Sequence, residues 1–132
     1  MTKTIVFTED ALPPLPVYCS SSAQAVISGK TVYASGNIGI TREFKLVEGG
    51  VEEQTRAALE NLAKVLKAAG SGLEHIVKAN IYLTNLGRDF APMNGVYTQF
   101  FEAGKFPART CIGVAALPLG ADVEIECVAE IP

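Results

Sequence analysis

Between Val51 and Ala69 the apolar residues Ala58, Leu62, Val65 and Ala69 return at steps of three and four, the spacing that gathers side chains onto one face of an α-helix. Glu52 and Glu53 stand early in this stretch and Lys64 and Lys67 late, which matches the charge preference of the two helix ends. Gly70 follows the last periodic residue, where a left-handed cap falls. A helix with a single apolar stripe is stable only when that stripe is covered. The sequence on either side therefore has to supply the cover, and it reads as β-strand.

Lys3 to Phe7 predicts a short first strand, and Pro13-Pro14-Leu15-Pro16 followed by Cys19-Ser20-Ser21-Ser22 breaks regular structure. Ala25-Val26-Ile27 and Thr31 to Ser35 are β-rich runs joined by Ser28-Gly29-Lys30, a hairpin signature. Ile76 to Leu83 predicts another strand after the helix. Asp89 is the expected N-cap of a second helix, with Pro92 in its first turn and Phe90, Met93, Tyr97, Phe100 and Phe101 as its apolar stripe, closed by Gly104. Phe106 to Cys111 and Val123 to Glu126, joined through Leu117-Pro118-Leu119-Gly120-Ala121, read as a closing hairpin. The order β-hairpin, helix, strand, helix, β-hairpin predicts an α+β two-layer domain with a largely antiparallel sheet. With 132 residues and 48% hydrophobic content, one core fits, so residues 1–132 are expected to form a single domain.

A formal net charge of -3 gives no overall basic field, which counts against nucleic acid and anionic membranes as partners. Cys19, Cys111 and Cys127 show no CxxC spacing and the only histidine is His75, so neither a disulfide framework nor a zinc site is expected. No run of about 18 apolar residues is present, and the start MTKTIVFTED lacks the layout of a secretory or organelle signal. These features read as a complete cytoplasmic chain without a cofactor.

The chemistry concentrates in the C-terminal runs. By the two-residue period of a strand, Val123, Ile125 and Cys127 share one face, and Asp122, Glu124 and Glu126 the other. The plain interpretation is a solvated acidic face. The sharper one is that three acids in a row call for a cation, which Arg109 supplies from across the expected hairpin. An arginine fork matches a carboxylate, and a nearby glutamate can move protons on water; together they are the parts of a small-acid hydrolase. Cys111 shares a face with Arg109, either lining a pocket or filling space, and nothing nearby marks it as a nucleophile. Asn94 puts an amide on the second helix's apolar stripe, to satisfy a backbone group or to bind a polar substrate. Ser35-Gly36-Asn37-Ile38-Gly39 lacks the spacing of a phosphate loop and offers instead a glycine turn with free N–H groups.

Taken together, Ser35-Gly36, the helix from Val51, Asn94-Gly95-Val96-Tyr97, Phe106-Pro107-Ala108-Arg109-Thr110-Cys111, Val114-Ala115, Leu117-Pro118 and Val123-Glu124-Ile125-Glu126 resemble the RidA (YjgF) family over nearly the whole chain. The resemblance implies a chorismate-mutase-like α+β fold and a homotrimer with a central β-barrel and three clefts between subunits. It also implies cofactor-independent hydrolysis of 2-imino acids, the enamine/imine products of pyridoxal-phosphate-dependent dehydratases, to 2-oxo acids and ammonia. Carried over by position, Arg109 would clamp the substrate carboxylate and Glu124 would deprotonate the attacking water. Cys111, Ser35 and Gly36 would line the pocket, and Asn94 would support it. A lid tyrosine of active members falls on Ser22 by an ungapped count, or on Tyr18 if an insertion is allowed. Asn37 and Gly39 stand where many relatives have Gln and Pro. Two rival readings keep the fold: a non-catalytic protein that binds small acids or a partner, and, ranked third, a ribonuclease or translation inhibitor.

Overall fold

The closing strand of the chain, Val123–Glu130, buries every second residue, Val123, Ile125, Cys127 and Ala129, and a strand so evenly buried belongs inside a sheet rather than at its edge. The computed structural model, which describes residues 2–13 and 23–132, places it so. In chain order the elements are β1 (Thr4–Val6), β2 (Ala25–Ser28), β3 (Thr31–Asn37), α1 (Gly50–Ala68), β4 (Ile76–Leu83), α2 (Leu86–Tyr97), β5 (Ala108–Gly113) and β6 (Val123–Glu130). The six strands form one sheet in the order β1-β2-β3-β6-β4-β5. Only β4 and β5 run parallel, because α2 carries the chain back before β5 begins, as a parallel pair requires.

The α+β two-layer expectation is met, and so are both the β2–β3 hairpin and the span of β4. The closing hairpin is not: β4 lies between β5 and β6. Glu124 therefore has Tyr82 as its neighbour and Arg109 has Ala79, so Arg109 is not the cation beside the acidic row. Asp122 finds a different one. Arg88 Nη2 approaches its Oδ1 at 3.3 Å, and Gln54 of α1 donates to its Oδ2 at 3.0 Å while accepting from its backbone N–H at 2.9 Å. These bonds tie both helices to the start of β6.

Helix α1 ends as its sequence requires. Gly70 takes φ 83°, its N–H reaches the Lys67 carbonyl at 3.1 Å, and the Ser71 N–H reaches that of Leu66 at 2.8 Å, the paired bonds of a Schellman cap. The start of α2 corrects the sequence reading. Asn85, not Asp89, is the N-cap, its side chain accepting from the Arg88 N–H at 3.1 Å. Asp89 sits one turn in, only 4% exposed, held by two Arg88 contacts of 2.8 Å. Both residues are competent caps; the burial of Asp89 and its pairing with Arg88 decide between them. Pro92 consequently lies inside the helix, beyond its first turn.

Leu59, Leu62, Val65 and Leu66 of α1 pack with Met93 of α2 onto Ile81, Leu83, Val123 and Ile125 of the sheet. Leu62, fully buried, lies at the centre of that cluster. Leu62→Ala is expected to cost about 3 kcal/mol, seen as a lower urea midpoint at unchanged slope; an unmoved midpoint would contradict the core described. The opposite face of the sheet is covered by neither of these helices. It carries Tyr33, 53% exposed, and Ile112, 46% exposed, together with Asn80, Tyr82, Glu124 and Glu126.

Candidate active site

Two groups of chemistry-bearing side chains lie at different places on the sheet. The first surrounds Arg109 on the edge strand β5. Register pairs Arg109 with Ala79 and Cys111 with Ile81, both buried residues, so Arg109 and Cys111 point to the helix side. There the guanidinium lies over the Tyr97 ring at 4.9 Å and the Phe90 ring at 5.8 Å, and Nη1 donates to Asn94 Oδ1 at 2.6 Å. Stacking and a short hydrogen bond together fix the plane of the fork. No carboxylate pairs with it among the described residues, which leaves most of its five donors available. The cleft in front, lined by Asn94, Tyr97, Thr98, Phe106, Pro107 and Arg109, measures about 380 Å³, room for a small acid. Burial pushes the Cys111 thiol up, against the opposing pull of Arg109, so it is a half-buried group packed against the core and not a ready thiolate.

The second group surrounds Glu124. The β3–β6 register breaks between Ala34 and Asn37, and this irregularity brings Gly36 against the Glu124 carboxyl: a Cβ on Gly36 would stand 2.7 Å from Glu124 Oε1. A larger residue at this position would push the Glu124 carboxyl out of its place. Ser35 is held by its neighbours, its N–H reaching the Gln24 carbonyl at 3.0 Å and its Oγ donating to the Ala23 carbonyl at 2.6 Å. Asn37 donates to the Ser35 carbonyl at 2.9 Å and accepts from the Asn61 amide on α1. An adjoining pocket lined by Ser35, Gly36, Asn37 and Asn61 has about 40 Å³, enough for ordered water and too little for a four-carbon acid. Glu124 makes no hydrogen bond or ion pair among the described residues. Burial, with the Glu126 charge second, pushes its carboxyl above the usual range.

Within one chain these groups cannot share a small molecule. Arg109 aligns through Ala79 with Cys127, whereas Glu124 aligns through Tyr82 with Ile112. They are two strands apart across the sheet and three residues apart along it, a Cα separation on the order of 14 Å. Their side chains also leave opposite faces. Of the residues named from sequence, the structure thus brings together Arg109, Asn94 and Cys111 in one place and Ser35, Gly36 and Glu124 in another. Tyr18 and Ser22 lie outside the described residues.

By spacing alone Tyr97 and Phe90 belong to a core stripe; in the structure their rings carry the guanidinium, which sequence reasoning misses. The signal was present in their spacing, since Tyr97 stands three residues and Phe90 four from Asn94, on the same helix face. Sequence reasoning likewise leaves Tyr82 without a role. Among the described residues, no three His, Cys, Asp or Glu side chains cluster as metal ligands would, and no helix is long and apolar enough to cross a membrane.

Comparison with known proteins adds four likenesses. Residues 11–131 match the family model described as Endoribonuclease L-PSP. The chain is 44% identical over 130 residues to the RutC family protein UK114 of Drosophila melanogaster, covering 98% of this chain and 90% of that one. It is 43% identical over 115 residues to the 2-iminobutanoate/2-iminopropanoate deaminase of Bos taurus, covering 86% and 82%. The crystal structure of yeast Mmf1 superposes with a TM-score of 0.90 at 37% identity, over 99% of this chain and all 100% of that one.

Proposed function

Because the chain belongs to the YjgF/RidA/RutC family, we propose that it hydrolyses small 2-imino acids such as 2-iminobutanoate and 2-iminopropanoate, in a site that Arg109 of one copy and Glu124 of a second copy complete. The observation that carries this reading is a guanidinium oriented by Asn94 and Tyr97 with no carboxylate of its own among the described residues, while the half-buried Glu124, whose side chain has no partner among those residues, faces the other way. The bare sheet face supports assembly, since its exposed Tyr33 and Ile112 need cover. A homotrimer with these faces turned inward supplies it and sets one copy's β5 edge against another's β3–β6 face.

In that site the substrate carboxylate docks on the Arg109 fork and the imine carbon is held toward Glu124. Glu124 accepts a proton from a water as its oxygen bonds to the imine carbon, giving a carbinolamine. The proton passes to the nitrogen, the C–N bond breaks as the new hydroxyl loses its own proton to Glu124, and 2-oxo acid and ammonia leave, the ammonia carrying off that proton as ammonium and returning Glu124 to its anion. A protonated imine is already electrophilic, so alignment and one base supply most of what is needed. A carboxyl raised by burial is a better base near neutral pH than an exposed one. The row of Glu124 and Glu126 repels a phosphate backbone, which favours this reading over the nuclease chemistry in the family model's description.

The test uses a dehydratase that releases 2-iminobutanoate, with 2-oxo acid formation followed in the presence of the protein. Gly36→Ala places its new Cβ where the Glu124 carboxylate lies and is expected to slow turnover about 10²-fold. Its melting temperature should hold, because Gly36 is not in the left-handed region. Full activity in Gly36→Ala would contradict the role given to Glu124.

A further inference from the structure

Glu126 stands two residues from Glu124 on the same face of β6 and is held where Glu124 is not. Tyr82 Oη donates to Glu126 Oε1 at 2.6 Å and Asn80 Nδ2 donates to the same oxygen at 3.2 Å. Both donors come from β4. Asn80 lies opposite Glu126 in the ladder, but Tyr82 lies opposite Glu124 and gives its one proton diagonally to the other acid. The two carboxylates differ by construction: one receives two donors, and the other receives none among the described residues. We propose that Glu126, locked by Tyr82 and Asn80, is a positioning residue that acts through Glu124: it takes up the donors of β4 and holds its carboxylate beside Glu124, so that Glu124 is the one left free to take the proton from water.

Few other groups face this pair. From β4 come Tyr82 and Lys78, the latter giving its Nζ to Thr110 Oγ1 of β5 at 2.8 Å. From β3 come Tyr33, opposite Val128, and the backbone of Gly36. Asp122, just before β6, is taken up by Arg88 and Gln54, and the helices lie on the other side of the sheet. In the assembled site Arg109 of a second copy pulls the other way, equally in the wild type and in the variants. Two further features agree with the assignment. The Glu126 charge contributes to raising Glu124, and the hydrogen bond to Glu126 is the foremost reason the Tyr82 hydroxyl is pushed up to about 12.

The inference rests on Glu124 being the base, and its test separates the two ideas. Glu126→Gln keeps an acceptor for Tyr82 and removes the charge. The carboxyl ¹³C resonance of Glu124, titrated in the assembled, substrate-free protein, is expected to move its midpoint to lower pH, and the acidic limb of kcat/KM for imine hydrolysis should follow. A midpoint that stays in place or rises overturns the inference. Tyr82→Phe keeps the ring and drops the donor; the Glu126 carboxylate is then no longer held in place and the Glu124 midpoint is expected to move, so a Glu124 midpoint that keeps its wild-type value there would also count against it. If hydrolysis is present and the midpoint does not move, the coupling falls and the function stands. If the midpoint moves in a protein without hydrolysis, the function falls and the inference with it, leaving only an electrostatic pair.

Discussion

Arg109→Ala is expected to lower kcat/KM for imine hydrolysis by roughly 10³-fold while leaving a folded assembly. A bidentate grip consists of two charge-assisted hydrogen bonds, each worth about 1.5–3 kcal/mol, and every 1.4 kcal/mol is about tenfold in rate. Arg109 lies at the edge of the sheet, and what it leaves behind is the Tyr97–Phe90 surface and the Asn94 amide, which the open cleft lets water reach. Lysine at this position should recover little, because an ammonium can neither present the planar fork nor lie flat on both rings. Turnover within a few-fold of wild type in Arg109→Ala would remove the carboxylate clamp.

The helix α1, its glycine cap and the alternating burial of β6 were legible because each is a local pattern: Leu62 and Val65, Gly70, and Val123 through Cys127 announce their environment by spacing alone. The neighbours of β6 were not. Arg109 and Glu124 look adjacent along the chain and across a turn, yet β4 occupies the slot between their strands, and slot order follows from the α2 crossover, which no residue pattern near β5 or β6 encodes. The N-cap shows the same limit at smaller scale. Asn85 and Asp89 are equally capable caps in sequence, and the burial of Asp89 against the neighbouring Arg88 guanidinium separates them.

At the site, residue types revealed more than residue positions. Arg109, Glu124 and Asn94 could be chosen for their chemistry, but the contact of Asn94 with Arg109 depends on how α2 packs on β5, and that of Gly36 with Glu124 on a register break in β3. The division of labour between Glu124 and Glu126 was wholly hidden, since it turns on which acid the Tyr82 hydroxyl reaches. The two-strand gap between Arg109 and Glu124 has the widest consequence, because it makes a site built from one chain impossible.

A site shared between copies has a direct signature. Glu124→Gln should be as inactive as Arg109→Ala, and it should also fold well. Because the folded protein raises the Glu124 carboxyl, its protonated form contributes stability that is complete below the unfolded pKa and is lost as pH rises through the folded value, so a neutral amide is favourable near pH 7. If the two variants are unfolded together, mixed in equal amounts and refolded, some neighbouring pairs will join an intact Arg109 from one copy to an intact Glu124 from the next. Random assembly in a closed ring gives about a quarter of the sites both groups, so the mixture is expected to regain about a quarter of wild-type turnover from two inactive parents. A refolded mixture that assembles fully and stays as inactive as its parents would contradict the shared site.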